Sequence, residues 1–212
     1  RHADAVFQRF AQRLQARVGF GWVEHGAVIG QRIDQHARLQ QTVFHLGDVC
    51  DRRKYINFVT AQTMHDVLFK RCQEDGIKMY IIAGNHDTYY KNTNDVNSLR
   101  QLYGHTSLEN LELYWEKPVE LDMDGCKIML VPWLCQENYE ESIDAMNSTK
   151  AQILMGHFEI TGYEMDKGHL CADGMDRSTF AKFDSVYSGH FHQPSSIGNI
   201  SYLGAQYEMT WS

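Results

Sequence analysis

Apolar runs that stop on glycine followed by a metal-ligating residue constrain this chain more than any other feature. Ile77 to Ala83 breaks at Gly84-Asn85-His86-Asp87, and Thr42 to Leu46 breaks at Gly47-Asp48. Ile153-Leu154-Met155 leads into Gly156-His157, and Ser185 to Ser188 into Gly189-His190-Phe191-His192. Short apolar runs bounded by turn residues predict strands. In α/β sheets, ligands bind beyond the C-terminal ends of the strands. The pattern predicts a sheet-rich α/β fold whose strand ends deliver polar groups to one place.

The intervening sequence fits that reading. Asn57 to Glu74 has helical spacing, with Phe58, Ala61, Met64, Leu68 and Cys72 on one face, and Asp75-Gly76 ends it. Leu111–Tyr114, Val119–Met123 and Cys126–Pro132 read as consecutive strands, with Asp124-Gly125 as the hairpin turn between the last two. Glu140 to Asn147 reads as a short helix, and Ile200 to Leu203 as a strand running into Gly204. With 43% apolar residues in 212, the chain can bury one good core, and a single compact domain is expected.

Charge and cysteine content narrow the function classes. A formal net charge of -7 excludes a broad basic face that holds nucleic acid by phosphate neutralisation alone, so any such grip is local or metal-assisted. Five cysteines, an odd number with no CxxC spacing, argue against a disulfide framework and a cysteine-type zinc site. No apolar stretch approaches the roughly 20 residues that span a bilayer, and the N-terminus does not read as a signal peptide. A cytoplasmic setting without membrane attachment is expected.

Phosphate ester cleavage explains why these residue types recur. It needs a deprotonated water and charge neutralisation on the phosphoryl oxygens, which two divalent ions about 3.5–4 Å apart can supply. Asp48 can offer one carboxylate oxygen to each ion, Asn85 an amide oxygen, and His157, His190 and His192 neutral imidazoles. In an extended Gly189-His190-Phe191-His192 segment both histidines would point to the same side. A lone Gly-Asp turn or a lone histidine beside glycine says little, but four such motifs in order, each at a strand end, are specific.

Those motifs, Gly47-Asp48 to Asp51-Arg52, Gly84-Asn85-His86-Asp87, Gly156-His157 and Gly189-His190-Phe191-His192, resemble motifs two to five of the calcineurin-like metallophosphoesterase superfamily. The likeness covers Thr42 to the C-terminus. Val131-Pro132-Trp133-Leu134-Cys135-Gln136-Glu137-Asn138 and Gly84 to Asn92 resemble, more narrowly, phage SbcD-type nuclease subunits. The resemblance implies a four-layer αββα sandwich and two divalent metal ions, manganese first, with magnesium, iron or zinc as alternatives. It also implies a DNA substrate, an SbcC-type ATPase partner in recombination and repair, a possible homodimer, and a bacterial or phage-infected host cell. By the same resemblance Asp48 is the bridging carboxylate, Asn85, His157 and His190 complete the second metal, and His192 belongs to the first. His86 assists the transition state or leaving group, Asp87 orients it, and Asp51 and Arg52 tie down the loop after Asp48.

The chain departs from the family at its start. The family's first motif, Asp-x-His, should precede Asp48 by a helix and a strand, whereas only five residues separate Asp34-Gln35-His36 from Thr42. That is too short for a crossover to a parallel neighbour. Residues 1–41 carry six arginines and no lysine, although Val6, Phe10 and Leu14 could mark an amphipathic helix. Three explanations stand: the motif lies upstream of Arg1, Asp34 and His36 replace it, or residues 1–41 are not authentic family sequence. The metallophosphoesterase domain is accordingly expected over residues 42–212, truncated at its C-terminus.

Other residues have plainer expectations. His45, His65, His105 and His169 read as surface or local structure, and Trp133 as core. Tyr89 and Tyr90 read equally as base-stacking residues or as loop packing. Arg53, Lys54 and Lys91 lie near the motifs and could meet substrate phosphates. The expected function is a two-metal phosphodiesterase of the DNA nuclease type. The alternatives are a phosphoesterase for a nucleotide, phosphoprotein or other small ester, and a non-catalytic binding module with an incomplete metal site.

Overall fold

The computed structural model describes residues 28–30, 41–166 and 168–205. Asp34, His36 and the helix proposed around Val6 lie outside these residues.

Two sheets carry the fold. The first has the order β1-β2-β3-β4, from Val28–Gly30, Gln41–Leu46, Ile77–Ile82 and Leu111–Tyr114. Its β2, β3 and β4 are parallel, and β1 pairs antiparallel with β2. The second has the order β11-β12-β10-β7-β6-β5, from Ser195–Ile197, Ile200–Tyr202, Ser185–Ser188, Ile153–Gly156, Cys126–Val131 and Val119–Met123. There β6, β7, β10 and β12 are parallel, with antiparallel strands at both edges. A small hairpin, β8 (Glu164–Asp166) and β9 (His169–Leu170), stands apart.

The period-2 alternation of each strand sorts its side chains into layers. Phe44, Leu46 and Ile82 from the first sheet meet Ile128, Leu130, Ile153 and Met155 from the second in one buried cluster. Their sequence neighbours face outward. Met79 and Ile81 pack with Met64 and Phe69 of the first helix and with Leu99 and Tyr103 of α2 (Ser98–Tyr103). Met129, Leu154 and Val186 pack with Met146 of α3 (Tyr139–Ser148) and with Phe180 in the 3-10 turn Arg177–Phe180. The order helix, sheet, sheet, helix is the expected αββα sandwich.

The first helix, α1, differs from the periodicity in an instructive way. It consists of Phe58–Thr63, a π-helical turn at Met64–Phe69, and Lys70–Glu74. Asn57 caps it, its side-chain oxygen accepting from Val59 N at 2.8 Å. Lys70 N–H reaches the carbonyl of His65, five residues back. With the extra residue in that turn Phe69 joins Met64 inside, Leu68 and Cys72 pack partly buried against the same cluster as the spacing predicts, and Phe58, on that face by spacing, is 91% exposed. The Asp124-Gly125 hairpin holds as read: φ is 53° and 84° at the two central residues, the signature of a type I′ turn. Helix α2 went unread, although Asn97 caps it and Leu99, Leu102 and Tyr103 have helical spacing. Among the described residues no helix is long and apolar enough to cross a membrane. All five cysteines are free thiols.

Leu130 lies between the sheets at 1% exposure, so Leu130→Ala should cost about 2–5 kcal/mol in chemical denaturation. Lys127→Ala, which breaks only the half-exposed ion pair with Glu120, should cost about 0–1 kcal/mol.

Candidate metal centre

The site forms where the C-terminal ends of β2, β3, β7 and β10 come together across both sheets. Gly47 and Asp48 follow β2 in left-handed conformations, φ 90° and 56°. That turn is strained for Asp48, and it places a buried carboxylate beside the end of β3. A Cβ on Gly84 would collide with the backbone and carboxylate of Asp48 and lie 2.8 Å from His157 Cε1, so only glycine admits this approach.

Four ligand atoms converge there. His157 Nε2 is 3.2 Å from Asp48 Oδ2 and 2.9 Å from Asn85 Oδ1. His190 Nδ1 is 3.0 Å from the same Asn85 oxygen and 3.2 Å from His157 Nε2. Asp48, His157 and His190 each bring a ligand atom to within 4.8 Å of the others. The far side of each ring has its own partner. His157 Nδ1 donates to the Leu46 carbonyl at 2.6 Å, and His190 Nε2 to Glu159 Oε1 at 3.0 Å. With those protons placed outward, both inner nitrogens turn lone pairs toward two oxygens. Such an arrangement is repulsive unless a positive charge lies among the four atoms, so the donor set fits a divalent cation.

Without an ion the charge comes from protons. Burial alone would lower the pKa of His157 and raise that of Asp48, but their mutual attraction outweighs it: His157 is pushed up and Asp48 down. Burial pushes His190 down, and its bond to Glu159 only partly opposes this. His45, read above as surface or local, is buried in β2. Its pKa is pushed down by burial to about 4, so the ring is neutral, and its Nδ1 lacks a hydrogen-bond partner.

Asp87 does something other than orient His86. Its carboxylate accepts from Val49 N (3.2 Å), Cys50 N (3.0 Å), Gly84 N (2.9 Å) and Ser98 Oγ (2.9 Å). It thereby ties the loop after β2 to the loop after β3. Burial and the neighbouring Asp48 push it up to about 6, against the bonds from Gly84, Cys50 and Ser98. The His86 ring is held instead by the Asp51 carbonyl, 2.5 Å from its Nδ1, and His86 N donates to Asp48 Oδ1 at 2.8 Å. The Asp51 backbone carbonyl thus meets the His86 ring, while Arg52 is exposed and contacts Tyr55 and Asp51.

The segment carrying His190 and His192 is not extended. His190 adopts φ 79°, Phe191 is buried, and His192 is exposed outside the three-residue group. Trp133, read as core, lies against the site, its ring centroid 5.9 Å from that of His157 and 5.4 Å from that of His190. Asn94 and Asn138 both donate to the Trp133 carbonyl, which locks this segment against the loop after β3. Tyr89 and Tyr90 are partly exposed, ring centroids 4.8 Å apart, with Lys54 Nζ 5.5 Å from the Tyr89 centroid. His65 pairs with Asp66, and His105 and His169 are exposed. Glu159 escaped the sequence reading, although period-2 spacing from His157 was the available signal.

The paired shifts set a pH dependence. A raised His157 stabilises the ion-free protein fully below its unfolded pKa of about 6.5, and that stability is lost as pH rises through the folded value. A lowered Asp48 contributes above about 3.9 and is lost in acid. A cation replaces the His157 proton, so its affinity should fall in acid. Thermal melts from pH 5.5 to 8.5 should show the chelator-treated protein losing Tm above about 6.5 while the Mn2+-treated protein holds it; parallel profiles would refute the assignment.

Comparison with known proteins agrees with this geometry. The chain is 33% identical to exonuclease subunit 1 of Enterobacteria phage T4 over 77% of its length and 47% of that protein. It is 28% identical to the SbcD subunit of the SbcCD nuclease of Staphylococcus epidermidis over 64% of its length and 42% of that protein. It therefore spans less than half the length of either relative. The calcineurin-like phosphoesterase profile matches residues 27–194, and with the sandwich and the ligand cluster at its strand ends, the chain belongs to that family.

Proposed function

We propose that this chain is a metal-dependent phosphodiesterase acting on DNA, with His86 as the acid for the departing oxygen. The observation that carries the reading is the convergence of four lone-pair atoms beside a histidine whose far nitrogen is already bonded. In this reading Asp48, Asn85, His157 and His190 hold one divalent ion. A second is assigned to Asp48 and His192, with Asp34 and His36 as the remaining candidates. Manganese is the proposed metal. Such ions neutralise charge on phosphoryl oxygens and lower the pKa of a water molecule.

The residues of the chain supply the rest. His86 Nδ1–H, held by the Asp51 carbonyl, leaves Nε2 to carry the proton that passes to the leaving oxygen. The His86 N–H bond to Asp48 keeps that ring in register with the ligand carboxylate. Asp87 acts by joining the two loops that carry Asp48 and His86. Tyr89 and Tyr90, exposed just beyond His86, supply stacking surface for an unpaired base. That both relatives are named as nuclease or exonuclease subunits supports DNA as substrate and a partner subunit, for which an SbcC-type ATPase is proposed.

His86→Ala should lower turnover of single- or double-stranded DNA about 10²- to 10⁴-fold while bound Mn2+, measured by elemental analysis, stays the same. Loss of metal in that variant would overturn the acid role. Hydrolysis of small phosphate esters by the wild type, with DNA untouched, would overturn the substrate.

A further inference from the structure

We propose that Glu159 is the positioning residue of the metal centre, accepting the Nε2–H of His190 and so holding that ring with its Nδ1 lone pair toward the ion. The inference rests on the proposed ligand role of His190 and adds to it the group that makes the ring a ligand through that nitrogen.

The two histidines of the cluster present opposite nitrogens: His157 turns Nε2 inward, and His190 turns Nδ1 inward. A neutral imidazole carries one proton, and the partner on the far nitrogen decides which nitrogen keeps it. For His157 that partner is a buried carbonyl, Leu46 O, fixed by the backbone of β2. For His190 it is the Glu159 carboxylate, 3.0 Å from Nε2. A carboxylate bonded to the far nitrogen of a ligating histidine fixes the tautomer and raises the basicity of the other nitrogen. The two rings are thus held by the same device with different acceptors.

Glu159 can do this because its backbone is anchored on both sides, although its carboxylate is half exposed. Phe158 and Ile160 on either side are 1% and 0% exposed. Phe158 N donates to Ser188 Oγ at 3.0 Å, and Met175 N to the Glu159 carbonyl at 2.8 Å. His190 itself follows Ser188-Gly189 at the end of β10, which runs beside β7 in parallel register. Donor ring and acceptor carboxylate therefore hang from neighbouring strand ends that are bonded to each other.

The test is Mn2+ affinity by calorimetry on the full chain, with chelator-treated melting as the fold control. Glu159→Ala should bind Mn2+ about 10- to 100-fold more weakly with an unchanged chelated Tm. Glu159→Gln keeps an oxygen acceptor at the same place and should recover most of that loss. The Co2+-loaded Glu159→Ala protein should show an altered visible spectrum, which a general loss of surface charge would not produce. Wild-type affinity in Glu159→Ala, beside weakened binding in His190→Ala, overturns the role of Glu159 alone. No recovery in Glu159→Gln would replace the hydrogen bond with bulk charge and overturn it too. Wild-type affinity in His190→Ala overturns the ligand reading, and this proposal with it.

Discussion

Lone pairs that face one another without a proton between them must be kept apart or shared by a cation. The structure depends on that constraint. Asp48 Oδ2, Asn85 Oδ1, His157 Nε2 and His190 Nδ1 arrive from four different strand ends, and separations near 3 Å from His157 to the other three and from His190 to Asn85 require the strands to end where they do. Much that looks incidental elsewhere serves this arrangement: the left-handed Asp48, the glycine at position 84 and the outward bonds of both imidazoles. The Asp87 carboxylate holds two loops together at the cost of its own burial.

The sandwich is the frame on which such a cluster can be built. Each sheet contributes strand ends from one side only, so neither sheet alone gathers the ligands. Asp48 and Asn85 come from the first sheet, His157 and His190 from the second. The apolar layer between them, with Leu46, Ile82, Leu130 and Met155, sets the spacing of the two halves of the site. Packing two or three residues before the ligands is thus as much a determinant of the site as the ligands themselves.

Much of this was legible in the sequence because glycine-terminated apolar runs state both the strand and the group it delivers. Gly84-Asn85-His86-Asp87 follows β3 as the local pattern predicts, and its asparagine oxygen meets His157 and His190. What stayed hidden depends on partners far along the chain. That Asp87 binds backbone at Val49 and Cys50, and that Asp51 rather than Asp87 holds His86, follows from loop packing between strands, which no periodicity reports. The left-handed His190 broke the extended reading of its segment, and the π turn at Met64–Phe69 brought Phe69 inside. Trp133 was sorted as core by its chemistry, although its ring edges the site.

The bond from His157 to Leu46 spans 111 residues, and the approach of His190 to Asn85 spans 105. Contacts so distant along the chain carry the largest closure entropy and form after local pairings such as the β5–β6 hairpin. The centre is therefore a late arrival in folding. A cation that needs the finished cluster cannot guide the early steps, and its grip falls on the native side of the barrier. Stopped-flow kinetics would register Mn2+ as slower unfolding, with the refolding rate nearly untouched; equal effects on both limbs would contradict this order of events.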